Sequence, residues 1–145
     1  MYKIKFILIL LLFGCNTIVE PTPIYEFELN TELEQDSNGY YHLPMITYNN
    51  SQVLHKLSVN TNNPNSPQLV SWYSDTVYEI YHMGFTQQIE IINKSSYTFD
   101  DGIAYTMFGP YMDQVGDTIT ILTGYIDSHT SHEYMLTFEI ILDLN

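Results

Sequence analysis

Tyr134, Leu136, Phe138, Ile140 and Leu142 alternate with Met135, Thr137, Glu139, Ile141 and Asp143. Successive side chains on an extended chain point to opposite faces, so this period of two predicts a strand with one face in a core and the other toward solvent. Tyr25, Phe27 and Leu29 against Glu26 and Glu28 predict a half-buried first strand in the same way. Asp36-Ser37-Asn38-Gly39 reads as a turn, with Gly39 free to take a positive φ. Tyr40 to Tyr48 reads as a strand that Pro44, lacking an N–H, places at an edge or a bulge. Val53, Leu57 and Val59 share one face, interrupted by His55, while Lys56 and Ser58 point away.

Asn60 to Gln68 (NTNNPNSPQ) is a polar loop with two prolines, a composition that does not pack as core. Leu69 to Ser74, which holds Trp72, and Thr76 to His82 follow one another across Ser74-Asp75 and read as a hairpin. Further strands are expected at Phe85 to Asn93, Ile103 to Phe108 and Thr118 to Ile126, with a loop at Ser95 to Gly102 and a turn at Ser128 to His132. Apolar residues of Thr118 to Ile126 fall on both faces, which predicts a central strand. No stretch after Cys15 shows a sustained helical apolar stripe, and no internal repeat is visible. Thirteen Tyr and seven Phe, with 45% hydrophobic residues, fit strands around a true core. The expected fold is therefore all-β: one domain over residues 25–145, an antiparallel β-sandwich of seven to nine strands. Trp72 on a middle strand resembles the core tryptophan of immunoglobulin-like domains, which makes the expected architecture immunoglobulin-like.

The amino-terminal segment follows a different rule. Lys3 and Lys5 precede an unbroken apolar run, Phe6 to Phe13, that ends at Gly14 and Cys15. The run is far shorter than the roughly 20 helical residues that cross a bilayer, and its layout is that of a secretory signal. Leu12-Phe13-Gly14-Cys15 resembles the lipobox of bacterial lipoproteins. That resemblance implies cleavage after Gly14, a diacylglycerol on the Cys15 thiol and a further acyl group, such as palmitate, on its new amino terminus. Residues 1–14 are then a signal peptide, and residues 15–24 a lipidated cysteine and a proline-bearing extended tether. Two acyl chains hold a protein on a membrane stably. Asn16 after the cysteine is compatible with outer-membrane delivery, facing either the periplasm or the cell surface; a host with one membrane would keep the protein on the outer face of its plasma membrane. Cys15 is the one cysteine, so no disulfide is expected in the exported domain.

Charge narrows the partners. The formal net charge is −13, there is no Arg, and beyond the leader only Lys56 and Lys94 stand against 17 acidic residues. Such a surface repels phosphate backbones and excludes nucleic acid as a partner. Asp100, Asp101, Asp113, Asp117 and Asp127 fall in expected loops or at strand ends, where carboxylates could meet around Ca²⁺, but no EF-hand spacing is present. His129-x-x-His132-Glu133 groups three ligand types around one turn without a fourth. Solvated turn residues are the expected reading of both sets, with no metal and no cofactor beyond the covalent lipid. The sequence has no G-x-S-x-G, H-E-x-x-H, P-loop or dinucleotide fingerprint, and no enzyme is expected. Aromatic residues remain: Trp72, Tyr73, Tyr78 and Tyr81, close together in the chain, are the candidate contacts for a glycan or protein partner. The expected role is a non-catalytic binding or adhesion module; the alternative is a structural or accessory subunit of a larger envelope complex.

Overall fold

The alternating run near the C-terminus forms the longest strand, β11 (Glu133–Leu144), and its partner β10 (Thr118–Ile126) is the apolar run that opens after Gly116-Asp117. The two pair antiparallel from Thr118 opposite Ile141 to Ile126 opposite Glu133. Their shared parity turns Ile119, Ile121 and Tyr125 inward with Tyr134, Phe138 and Ile140. The computed structural model describes residues 21–46, 52–65 and 67–144. The apolar leader, Cys15 and the first part of the tether lie outside the described residues, as does the end of the strand expected to reach Tyr48.

The other strands are β1 (Glu28–Asn30), β2 (Glu34–Gln35), β3 (Tyr41–Met45), β4 (His55–Asn60), β5 (Leu69–Ser74), β6 (Val77–His82), β7 (Phe85–Glu90), β8 (Ser95–Tyr97) and β9 (Ile103–Phe108). They form a three-stranded sheet, β1-β4-β9, and a six-stranded sheet, β2-β3-β11-β10-β5-β8, with β6 and β7 paired only to each other. The two sheets enclose one core, in which Leu57, Val59 and Phe108 meet Trp72, Ile121 and Leu142. Each such side chain contributes about 1.5–3 kcal/mol on burial. The chain is an all-β sandwich of immunoglobulin-like architecture. The described residues hold eleven strands where the pattern predicts seven to nine, because β2 and β8 have two and three residues and are too short to show a period. One pair departs from the antiparallel rule: β3 runs parallel to β11, from Tyr41 opposite Ile140 to Met45 opposite Leu144.

Several local expectations hold. Gly39 closes the Asp36 turn at φ 95°, with its N–H donating to the Asp36 carbonyl. β2 reaches only Tyr41 and His42, so among the described residues no strand pairs with the outer side of β3 at Pro44, the edge position that suits a residue without an N–H. β10 is central, between β11 and β5.

Three expectations fail, each for a physical reason. β5 makes no hairpin with β6; it pairs with β10 and β8, and β6 turns back on β7 through Met83-Gly84. Ser74-Asp75 does not reverse the chain: the Asp75 N–H bonds the Thr120 carbonyl and its carboxylate accepts the Thr120 N–H, which ties this segment to β10. The polar loop after β4 is partly core: Thr61, Asn63 and Gln68 are buried. Backbone groups accept what burial would otherwise leave bare, Thr61 Oγ1 donating to the Gly102 carbonyl and the Gln68 amide to the Asn65 carbonyl. The loop expected at Ser95 to Gly102 begins with β8, which pairs Tyr97 with Leu69 and leaves a turn only from Phe99 to Gly102.

His42 joins three segments. Its Nδ1 is 2.7 Å from Asp143 Oδ2 on β11 and its Nε2 3.7 Å from Asp36 Oδ2 in the first turn. The bond to Asp143 holds the imidazole pKa above its ordinary 6.5, against the opposing effect of burial. The charged ring therefore stabilises the fold below the ordinary value, and that contribution is lost as pH rises through the raised folded value. The gap in melting temperature between the wild type and His42→Asn is expected to be widest at about pH 5 and to close toward about pH 9. Thermal melts followed by circular dichroism measure it, and a gap independent of pH would show that the ring acts by packing alone.

Candidate binding site

The register that builds the core also builds a trench on the opposite face of the six-stranded sheet. Ser71 of β5 lies opposite Gly124 of β10, and Gly124 opposite Met135 of β11. Small residues thus line up across two strands, and their row is a floor. Two residues farther along each strand, on the same face, stand the walls: Leu69 and Ile126 on one side, Tyr73 opposite Leu122 on the other. Met135 closes the end at β11, and Glu133 supplies a carboxylate at the rim. Rows two residues apart are separated by roughly 7 Å, so the walls stand about 14 Å apart at the backbone. The cavity measures about 420 Å³, within the range of small-ligand sites. Leu69, Tyr73, Ile126 and Met135 are all exposed, so the face carries a contiguous apolar surface on a rigid sheet. A β-carbon at Gly124 would sit 2.6 Å from the Tyr134 carbonyl oxygen, so strand packing forbids any side chain there and the floor stays open.

Of the four aromatic candidates, Trp72 and Tyr73 border this trench, and only Tyr73 presents an exposed side chain to it. Trp72 is 3% exposed; its ring faces the core and its indole N–H donates to Ser96 Oγ at 3.0 Å. That burial removes Trp72 as a ligand contact: neighbours in a strand face opposite sides, so Trp72 and Tyr73 never share a surface. Tyr78 stacks on Tyr111 with centroids 3.7 Å apart at the base of the β6–β7 ribbon. Burial, with Asp113 beside it, pushes the Tyr78 phenol pKa up. Tyr81 is exposed near the ribbon's tip. Closeness in sequence therefore does not become one aromatic cluster. Leu69, Leu122, Ile126 and Met135 carry the site instead, and their signal was the surplus of apolar residues on the outward parity of β5, β10 and β11.

The aspartates serve turns. Asp101 Oδ1 accepts the Ile103 N–H, and Asp127 Oδ1 accepts the His129 N–H at 2.8 Å. Asp113 bonds the Tyr78 hydroxyl, and the Asp117 N–H and carbonyl bond the backbone of Gln114 and Leu142. Asp127 is fully buried; burial raises its pKa, but the His129 N–H, the Thr130 hydroxyl and the Asn63 amide outweigh it and hold the carboxyl below the ordinary value. Tyr125, behind the same turn, is pushed up to about 12, chiefly by burial. His129 Nδ1 lies 3.8 Å from Asp127 Oδ1, while the His132 ring packs edge-on to Tyr134. Among the described residues no three His, Cys, Asp or Glu side chains converge into a metal-holding group.

No family model, curated protein or solved structure matches the chain. Added Ca²⁺ is expected to leave the melting temperature unchanged, as scanning calorimetry with and without a chelator would measure; a rise of several degrees would give the loop carboxylates a cation.

Proposed function

We propose that the chain is a lipid-anchored protein of the bacterial cell envelope that works as a non-catalytic binding module, with the outer-face trench as its contact surface. The trench is the observation that carries this reading: an open apolar groove on a rigid sheet, with a glycine held at its floor by packing. The anchor rests on the likeness of Leu12-Phe13-Gly14-Cys15 to a lipobox, and outer-membrane delivery on Asn16. In a host with one membrane the same anchor places the domain on the outer face of the plasma membrane. Ser71, Thr123 and Glu133, with the tyrosine hydroxyls, are the polar groups in a mainly apolar lining. That balance suits the apolar side chains of a protein partner better than a glycan, whose hydroxyls require many hydrogen bonds. The acidic surface favours a partner of neutral or positive charge. A structural subunit that lends its edge strands to an envelope complex is the second reading: the edges β2 and β8 of the six-stranded sheet offer only two and three residues of backbone, and β9 at the edge of the three-stranded sheet offers six.

Two measurements test the proposal separately. Labelled palmitate is expected on the native protein and absent from Cys15→Ser; an unlabelled native chain that still carries residues 1–14 would remove the anchor. Ser71→Trp fills the trench from an exposed position, so stability should change by no more than about 0.5 kcal/mol. Screened against displayed peptides and a glycan array, the wild type is expected to retain ligands that Ser71→Trp loses. Equal binding by both would move the site off this face.

A further inference from the structure

β6 and β7 form a two-stranded ribbon that no third strand among the described residues covers. One face of its shaft is polar, with Glu79 bonded across to Gln88 and Glu90 paired with Lys94 near the base, while the other carries Tyr78, Ile80 and Ile89. At its tip Tyr81, Met83 and Phe85 are 75%, 83% and 78% exposed. In this register Tyr81 lies opposite Thr86 and His82 opposite Phe85, so Tyr81 and Phe85 project from opposite faces of the ribbon and Met83 occupies the turn. The tip presents an apolar side chain on each face and at its apex, and carries no acidic or lysine side chain from Ile80 to Gln87.

The turn itself favours a different residue. Met83 and Gly84 both have positive φ, 49° and 84°. Two such residues in a tight hairpin call for Asn-Gly, and methionine holds that conformation at a cost that asparagine would avoid. The side chain at the apex is thus kept in spite of the backbone. A protein docking face is normally one-sided and shaped; a tip that lacks carboxylates and lysines and puts an exposed apolar side chain on each face and at its apex, beside His82 and Thr86, matches a fluid interfacial medium. From the Tyr81 level to the apex the ribbon spans two residues, about 7 Å, close to the 5–10 Å at which interfacial segments lie in the headgroup and acyl boundary. Tyrosine at the upper level and Phe and Met below it is also the order of a membrane interface. Only the inward backbone groups of the ribbon pair with each other, so its outward N–H and C=O groups need water and confine the tip to the hydrated headgroup boundary.

We propose that the β6–β7 tip inserts into a lipid surface, and that this surface is zwitterionic, since a chain of net charge −13 is repelled by anionic headgroups. The contact is separate from the trench and from any anchor. The chain enters the sandwich where the Tyr25 N–H meets the Tyr134 hydroxyl, beside the end of β10, whereas the ribbon departs from Asp75 next to Thr120, near the start of β10. The tip therefore addresses a bilayer at the pole away from the amino terminus.

The chain from Asn16 onward holds every residue of the sandwich and neither acyl group nor apolar leader, and it is the protein to use. It is expected to sediment with phosphatidylcholine vesicles and less with phosphatidylglycerol vesicles. Met83→Asn combined with Phe85→Ser should lower the vesicle-bound fraction at least about tenfold, while Tyr73→Ser in the trench leaves it unchanged. Met83→Asn alone should raise the melting temperature as it weakens binding, which separates loss of the contact from loss of the fold. A wild type that stays in solution, as it would if the tip fitted a protein pocket, overturns the proposal. So does a double variant that binds as well as the wild type.

Discussion

The nine-residue register between β10 and β11 is the constraint on which both the core and the candidate site depend. It places Ile119, Ile121 and Tyr125 opposite Ile140, Phe138 and Tyr134, and these pairs face the three-stranded sheet as the centre of the core. The other parity of the same strands faces out, where Leu122, Gly124, Ile126 and Met135 form the trench. Because side chains alternate with a period of two, a slip of one residue would exchange the two sets. It would bury Gly124 where the core needs volume and expose Ile121 and Phe138. Core and trench are thus two readings of a single pairing, and a sequence change that disturbs one disturbs the other.

The pole beside the amino terminus shows how polar and aromatic groups finish what the strands begin. Tyr125 and Tyr134 stack at 4.7 Å, Phe27 meets Tyr125 edge-on at 5.3 Å, and the Tyr25 N–H donates to the Tyr134 hydroxyl. The buried loop after β4 closes over these rings, with Tyr125 near the Thr61 carbonyl and Asn63 directed at Asp127. Buried polar groups of this kind stabilise only when their partners are present, since each one left bare costs about 1–3 kcal/mol. Thr61 and Gln68 meet that condition through backbone carbonyls, which is how a stretch with two prolines and three asparagines comes to line a core.

Elements whose hydrophobic period is long were legible in the sequence, and pairings decided at a distance were not. β10 and β11 follow directly from alternation, and β5 matches its apolar run at both ends. Partner choice is a different kind of information. The adjacency of Leu69–Ser74 and Thr76–His82 suggested a hairpin, but Asp75 spends both its N–H and its carboxylate on Thr120, and that bond pair lies 45 residues away in sequence. β8 was invisible because three residues carry no period, and the buried loop because composition records polarity but not whether a carbonyl waits nearby. For the candidate site, the aromatic residues divide between the two faces: Trp72 follows the core parity and Tyr73 the trench parity. The informative signal lay in β10, whose apolar residues on both faces were rightly taken to mean a central strand. Central position in a sheet covers a strand's edges and leaves its faces to other layers. Apolar residues on the uncovered face of a central strand therefore point to a contact surface.

Exposure of this much apolar surface demands an account of why the protein stays dispersed. Leu69, Tyr73, Ile126 and Met135 on one face, and Tyr81, Met83 and Phe85 on the ribbon, could each draw copies of the chain together. Two features oppose it. A net charge of −13 makes every approach of one copy to another repulsive, and the repulsion acts before apolar surfaces touch. At the six-stranded sheet, which carries the trench, the edges β2 and β8 are also too short to template strand addition, with Pro44 on the outer side of β3 as a further guard. Self-association is thus disfavoured in a way that association with a neutral or basic surface is not. The acidity that repels phosphate backbones thus also keeps copies of the chain apart, and it lets a small sandwich keep two apolar surfaces open without their closing on each other.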